Sequence, residues 1–129
     1  MSQSAIRSPV SESSANQEAP ASAAGPLYRV DKFIVPAAGR DEFLGRVRDT
    51  HDVLRQQEGF LQDMILEQNS GPGVFNIVTL VEWASADVVG RVSEAVARHH
   101  AETGFDRQAM IARLGITADI ASYSRIPAF

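Results

Sequence analysis

Two histidines, a tryptophan and an aspartate are the residues whose types and placement could carry chemistry. His51 falls within Arg40–Gln57, where Phe43, Val47, His51 and Leu54 recur at helical spacing. At about 100° per residue, and counting from Phe43, Val47 lies at ~40°, Leu54 at ~20° and His51 at ~80°, inside the apolar stripe. His99 holds the matching place after Ser85. Counting from Val88, Val92 lies at ~40°, Val96 at ~80° and His99 at ~20°, while His100 falls at the edge near ~120°. Two helices that share one sheet face would each aim an imidazole at the space between helix and sheet. Burying an imidazole costs roughly 1–3 kcal/mol unless it finds a partner. Two readings follow. Each could be a core histidine satisfied by a backbone carbonyl or a hydroxyl. Alternatively, one or both could serve a pocket as acid, base or ligand group, because imidazole titrates near neutral pH.

Trp83 shares a strand face with Thr79, and its indole N–H is a hydrogen-bond donor. Its plainer role is core or interface. Asp31 shares a face with Phe33 and Val35, which makes it either a pocket acid or a residue near a wet strand end. Phe33, Tyr28, Tyr123 and Met64 could line an apolar cavity or belong to an ordinary core. Other chemistries lack a signature. Gly71-Pro72-Gly73 is a hairpin turn with no helix after it, so no phosphate loop is present. His99 and His100 are adjacent and point about 100° apart, which is poor geometry for one metal. The chain has no Cys, which removes disulfides and thiolate chemistry together. No local signature supports a Ser-His-Asp triad.

These residues must be positioned by short strands and two helices. Val74–Trp83 is bounded by Asn69–Gly73 and Ser85 and reads as a strand apolar on both faces. Leu27–Val35, Phe60–Gln68 and Ile116–Ile126 read as the other strands, and the Asn69–Gly73 loop folds Phe60–Gln68 back on Val74–Trp83 as a hairpin. On Phe60–Gln68, Phe60, Met64 and Leu66 are expected on one face, Leu61 and Ile65 on the other. Helices are expected over Arg40–Gln57, with Gly59 as its C′ residue, over Ser85–Thr103 ending at Gly104, and over Asp106–Leu114 ending at Gly115. The order βαββαβ is that of an α+β, ferredoxin-like domain with a four-stranded antiparallel sheet. Both helices then cover one sheet face. Leu61, Ile65, Val74, Val78 and Leu80 are left as apolar residues in need of a partner, which points to a homodimer through the uncovered face.

With 129 residues the chain holds one core, and 12 Lys+Arg against 16 Asp+Glu argues against nucleic acid as a partner. No apolar run approaches the roughly 20 residues of a membrane span, and no signal-peptide core opens the chain, so the expected location is cytoplasmic. Residues 1–26 contain seven Ser, six Ala and three Pro and no aromatic residue. They read as a disordered tail before a domain over 27–129.

Gly59-Phe60 opening the second strand and Val81-Glu82-Trp83-Ala84-Ser85 ending the third resemble the antibiotic biosynthesis monooxygenase domain family, over roughly Leu27–Ile126. The resemblance implies a dimeric α/β barrel, often an oxygenase that uses no metal or flavin. Relatives include anthrone and quinol oxygenases and haem-degrading enzymes. The haem-degrading branch places a Trp near the position of Trp83 but an Asn where this chain has Asp31, a departure that argues against haem. The expectation is therefore a cofactor-independent monooxygenase with molecular oxygen as co-substrate and an aromatic, polyketide- or quinol-like substrate. His51 or His99 would be the base, and Trp83 would give a hydrogen bond. The alternative is a non-catalytic or stress-related dimer that binds a small apolar or aromatic ligand in the same cavity. A His nitrogen free to face the cavity favours the enzyme; two sealed imidazoles favour the binder.

Overall fold

The computed structural model describes residues 25–128. The tail expected over residues 1–26 lies outside them, apart from Gly25 and Pro26. Strand β1 (Leu27–Ile34) leads through a 3-10 turn (Ala37–Gly39) into helix α1 (Arg40–Arg55). Strands β2 (Phe60–Glu67) and β3 (Ile77–Trp83) follow, then a 3-10 turn (Ala86–Val88), helix α2 (Val89–Thr103), the short helix α3 (Arg107–Leu114) and strand β4 (Thr117–Tyr123). The sheet order is β2-β3-β1-β4 with every neighbouring pair antiparallel. This is the ferredoxin-like arrangement, in which each helix crosses between strands separated by one antiparallel neighbour.

Two apolar clusters hold the helices to the sheet. One gathers Phe33, Val35, Phe43, Leu44, Ile77, Met110 and Ile116. The other gathers Val81, Trp83, Val88 and Val92. Strand β3 supplies both through Ile77, Val81 and Trp83, but Thr79 stands between them and is as deeply buried as they are. The core is thus split midway along its central strand, and the gap is polar.

Four local expectations are corrected. Val74–Asn76 is not part of β3: the Asn76 side chain accepts from Val35 N and donates to Val35 O, both at 2.8 Å. It closes off the end of β1, and Val74 is left exposed. In β2 a bulge at Leu61 places Phe60 opposite Trp83 and Gln62 opposite Glu82, so the strand changes face there. Phe60 and Ile65 pack on the helix-covered side, whereas Met64 and Leu66 are exposed on the other. Gly59 does not cap α1, whose C-cap residue is Gln56. It holds φ +92°, and a Cβ there would lie 2.7 Å from Val88 Cγ1, so turn conformation and close approach both require glycine. Ser85 precedes a 3-10 turn and makes no side-chain capping bond. Gly104 and Gly115 end α2 and α3 in the left-handed region, as expected.

The uncovered sheet face carries Val30, Val78 and Leu80 with Met64, Leu66 and Tyr123, the last three well exposed. Tyr28, on the same face, donates to Glu82 at 3.1 Å and accepts from Arg125 at 2.9 Å. Among the described residues no helix is long and apolar enough to cross a membrane.

Candidate active site

The polar gap opens into a cavity of about 370 Å³ between the sheet and helices α1 and α2. Leu27, Leu54, Val81, Trp83, Val92 and Val96 form its apolar wall, and Arg29, Asp31, Thr50, His51, Thr79, His100 and Arg107 its polar one. A smaller pocket of about 60 Å³ adjoins it and shares Asp31, Thr50, His51, Thr79 and Arg107.

His51 is the most constrained of the polar group. It comes from the fourth turn of α1, is 5% exposed, and its Nδ1 lies 2.8 Å from Asp63 Oδ2 on β2. Asp63 is gripped in turn by Arg55, with Nε at 3.2 Å from Oδ1 and Nη2 at 2.9 Å from Oδ2. Burial pushes the Asp63 carboxyl up, but the hydrogen bonds from Arg55 and His51 and their charges outweigh it and hold the group below the usual carboxylate range. An ionised carboxylate only accepts, so Nδ1 carries the proton. In the neutral ring Nε2 then keeps its lone pair, and no hydrogen bond to Nε2 is made among the described residues. Because the ring lines both pockets, Nε2 is the nitrogen left for a ligand.

Asp31 and Thr79 are register partners on β1 and β3. Asp31 accepts from Arg29 Nε at 2.9 Å, two residues away on the same face. Trp83 sets its ring edge-to-face on Phe60, with centroids 5.8 Å apart, while lining the cavity. On α2 the lining residues are Val89, Val92, Ser93, Val96, Ala97 and His100. His100 Nε2 lies 3.3 Å from Thr50 Oγ1, and its ring meets Phe105 edge-on at 5.0 Å. Burial, chiefly, and then the charges of His99 and Arg107 lower the His100 pKa.

His99 does not face the cavity. Its Nε2 donates to Asp49 Oδ2 on α1 at 2.8 Å, and it is absent from the lining. The cavity-facing side of α2 runs Val89, Val92, Val96 and His100, about three turns from first to last, and His99, about 100° away, falls toward α1 instead.

The sequence-predicted residues therefore divide. His51, Trp83, Asp31 and Thr79 meet at the main cavity, and Phe33 lines the smaller pocket. Met64 and Tyr123 lie on the uncovered sheet face, because each is in register with residues of that face, Leu80 and Tyr28. Sequence reasoning missed Asp63, Arg55, Arg29 and Arg107. Arg29 was readable in principle, since it sits two residues from Asp31 on one strand face; Asp63 depended on the unforeseen bulge. Among the described residues no cluster of His, Asp and Glu could hold a metal.

No family profile matches the chain, and no curated protein is significantly similar to it. Solved structures are. SnoaB, a cofactor-independent oxygenase from Streptomyces nogalater, superposes with a TM-score of 0.56 at 20% identity, over 81% of this chain and 97% of that one. A candidate antibiotic biosynthesis monooxygenase from Caulobacter crescentus CB15 gives a TM-score of 0.59 at 18% identity, over 81% and 93%. A variant of MhuD with two manganese protoporphyrin IX bound per active site gives a TM-score of 0.59 at 16% identity, over 80% and 97%. The chain thus has the fold of antibiotic biosynthesis monooxygenases, which the motifs Gly59-Phe60 and Val81–Ser85 had suggested.

Proposed function

We propose that the protein is a cofactor-independent monooxygenase acting on an aromatic, polyketide- or quinol-like substrate held between sheet and helices. The observation that carries this reading is the His51–Asp63 pair: a buried imidazole on a cavity wall, its Nδ1 proton fixed by a carboxylate, its Nε2 left with a lone pair. That is a general base held in the correct tautomer. Trp83 and the valines of β3 and α2 supply an apolar wall for flat rings.

In an anthrone-like substrate, His51 Nε2 takes a proton from the reacting CH₂. The delocalised carbanion gives one electron to O₂, and the radical pair recombines into a C–O bond. The imidazolium protonates the peroxide, and the neutral His51 then takes the second C–H proton as the O–O bond breaks, leaving a ketone and hydroxide, which the imidazolium protonates to water. One oxygen atom ends in the product and one in water, so no outside reductant is needed. Thr79 and Trp83, both on the cavity wall, would give hydrogen bonds to the substrate oxygen or the peroxide. Asp31 stands where haem-degrading relatives have an Asn, so haem chemistry is not part of the proposal.

We also propose a homodimer through the uncovered sheet face, where Met64, Leu66 and Tyr123 are exposed beside Val78 and Leu80. Oxygen uptake by the purified, chelator-treated protein against hydroxyanthrones and hydroquinones tests the activity. Substrate-dependent uptake is expected; tight binding with no uptake would favour a non-catalytic binder.

A further inference from the structure

The charges in the cavity do not balance. Asp31 pairs with Arg29 at 2.9 Å, and Arg107 lines both pockets with no salt bridge or hydrogen bond among the described residues. Arg107 opens α3 just after the Asp106 cap, whose side chain accepts from Ala109 N and so turns away from it. Burial, chiefly, lowers the Arg107 pKa; Asp31 opposes that and Arg29 adds to it. A guanidinium cannot shed its proton near neutral pH. A half-buried one with no hydrogen-bonded partner is stabilised further by an anion brought into the cavity.

We infer that the cavity takes an aromatic molecule bearing a carboxylate, which pairs with Arg107 while the rings lie toward Trp83. This names the substrate class within the oxygenase reading and rests on it for the word substrate, though not for the binding itself. Arg107 also borders the smaller pocket among Phe33, Phe105 and Met110, whereas Trp83 and Val92 belong to the other cluster. A ligand anchored at Arg107 therefore extends from one core cluster toward the other and passes His51. Guanidinium and carboxylate match as two parallel N–H···O bonds, so the anchor orients the rings as well as holding them.

The test is calorimetric titration of the full-length protein with 2-naphthoate and with 2-naphthamide, which share a shape and differ in charge. Naphthoate should bind at least about tenfold more tightly, the scale of a hydrogen-bonded charge pair. In Arg107→Gln that preference should vanish while naphthamide binding stays within about twofold, and Arg107→Lys should restore part of it. Asp31→Asn should tighten naphthoate binding by releasing Arg29. Equal binding of acid and amide, an acid preference that survives Arg107→Gln in a folded variant, or no binding of either at millimolar concentration would overturn the inference. Failure of oxygen uptake with the acid preference intact would count against the oxygenase reading alone.

Discussion

His51 on α1 and Asp63 on β2 are joined Nδ1 to Oδ2 at 2.8 Å across the space between helix and sheet. The pair ties the helix to an edge strand and fixes which imidazole nitrogen faces the cavity. Arg55, one turn further along α1, donates to both oxygens of the same carboxylate. Position and tautomer are therefore set by the same three residues.

The carboxylate is testable by itself. In Asp63→Asn the amide oxygen can still accept from Nδ1, but the charge that fixes the tautomer is gone. Loss of a partner that orients an imidazole costs about 10–100-fold in metal sites, and a fall on that scale is expected here. Steady-state kinetics should show kcat falling in this range with KM little changed. A wild-type kcat would show that Asp63 serves packing only.

His100 predicts how stability depends on pH. Its folded pKa lies below the ordinary value of 6.5, mainly through burial. Below that value the unfolded chain binds a proton that the folded chain resists, so stability is full above it and falls as the pH drops through it. Thermal melts from pH 7.5 to 5.5 should show a falling Tm, and His100→Gln should flatten that slope. Carboxylates such as Asp63 contribute their own loss only at lower pH, because their folded pKa is depressed.

Gly59→Ala meets two obstacles together, a φ of +92° and a Cβ at 2.7 Å from Val88 Cγ1. Urea unfolding should show a loss of more than about 1 kcal/mol. Gly45→Ala, where a Cβ meets nothing within 4 Å, is the control and should stabilise α1 or leave it unchanged.

Leu80 pairs with Val30 and Met64 on the uncovered sheet face. Leu80→Lys puts a charge in the middle of the proposed dimer surface. Sedimentation should show a dimer for the wild type at micromolar concentration and a monomer or precipitate for the variant. A soluble wild-type monomer would dispose of the dimer.

Much of the fold was legible because its signals are local. Alternation on Leu27–Ile34 and Ile77–Trp83, helical spacing from Phe43 to Leu54, and the glycines at 104 and 115 all act within a few residues. What escaped was set by phase. The bulge at Leu61 reverses the faces of β2 relative to Phe60, which moved Ile65 into the core and Met64 out of it. On α2 a histidine stands at each edge of the valine stripe, and the packing against α1 decides that His100 lines the cavity while His99 meets Asp49. Neither leaves a mark in composition, because an extra strand residue or a small helix rotation changes a face without changing any residue type. Asp63 as the partner of His51 was hidden for the same reason. Trp83, Thr79 and Asp31 were found because β1 and β3 are central and regular, so alternation alone placed them on the helix-covered side.

The central claim is that His51, and not His99, is the base. It is tested most directly by the initial rate of oxygen uptake, with the best substrate of the panel, in His51→Gln and His99→Leu proteins checked for folding. The account predicts a fall of at least ~10²-fold for His51→Gln, the low end for losing a general base, and a rate within about twofold of wild type for folded His99→Leu, because His99 pairs with Asp49 outside the cavity. A folded His51→Gln protein that keeps its full rate would contradict it.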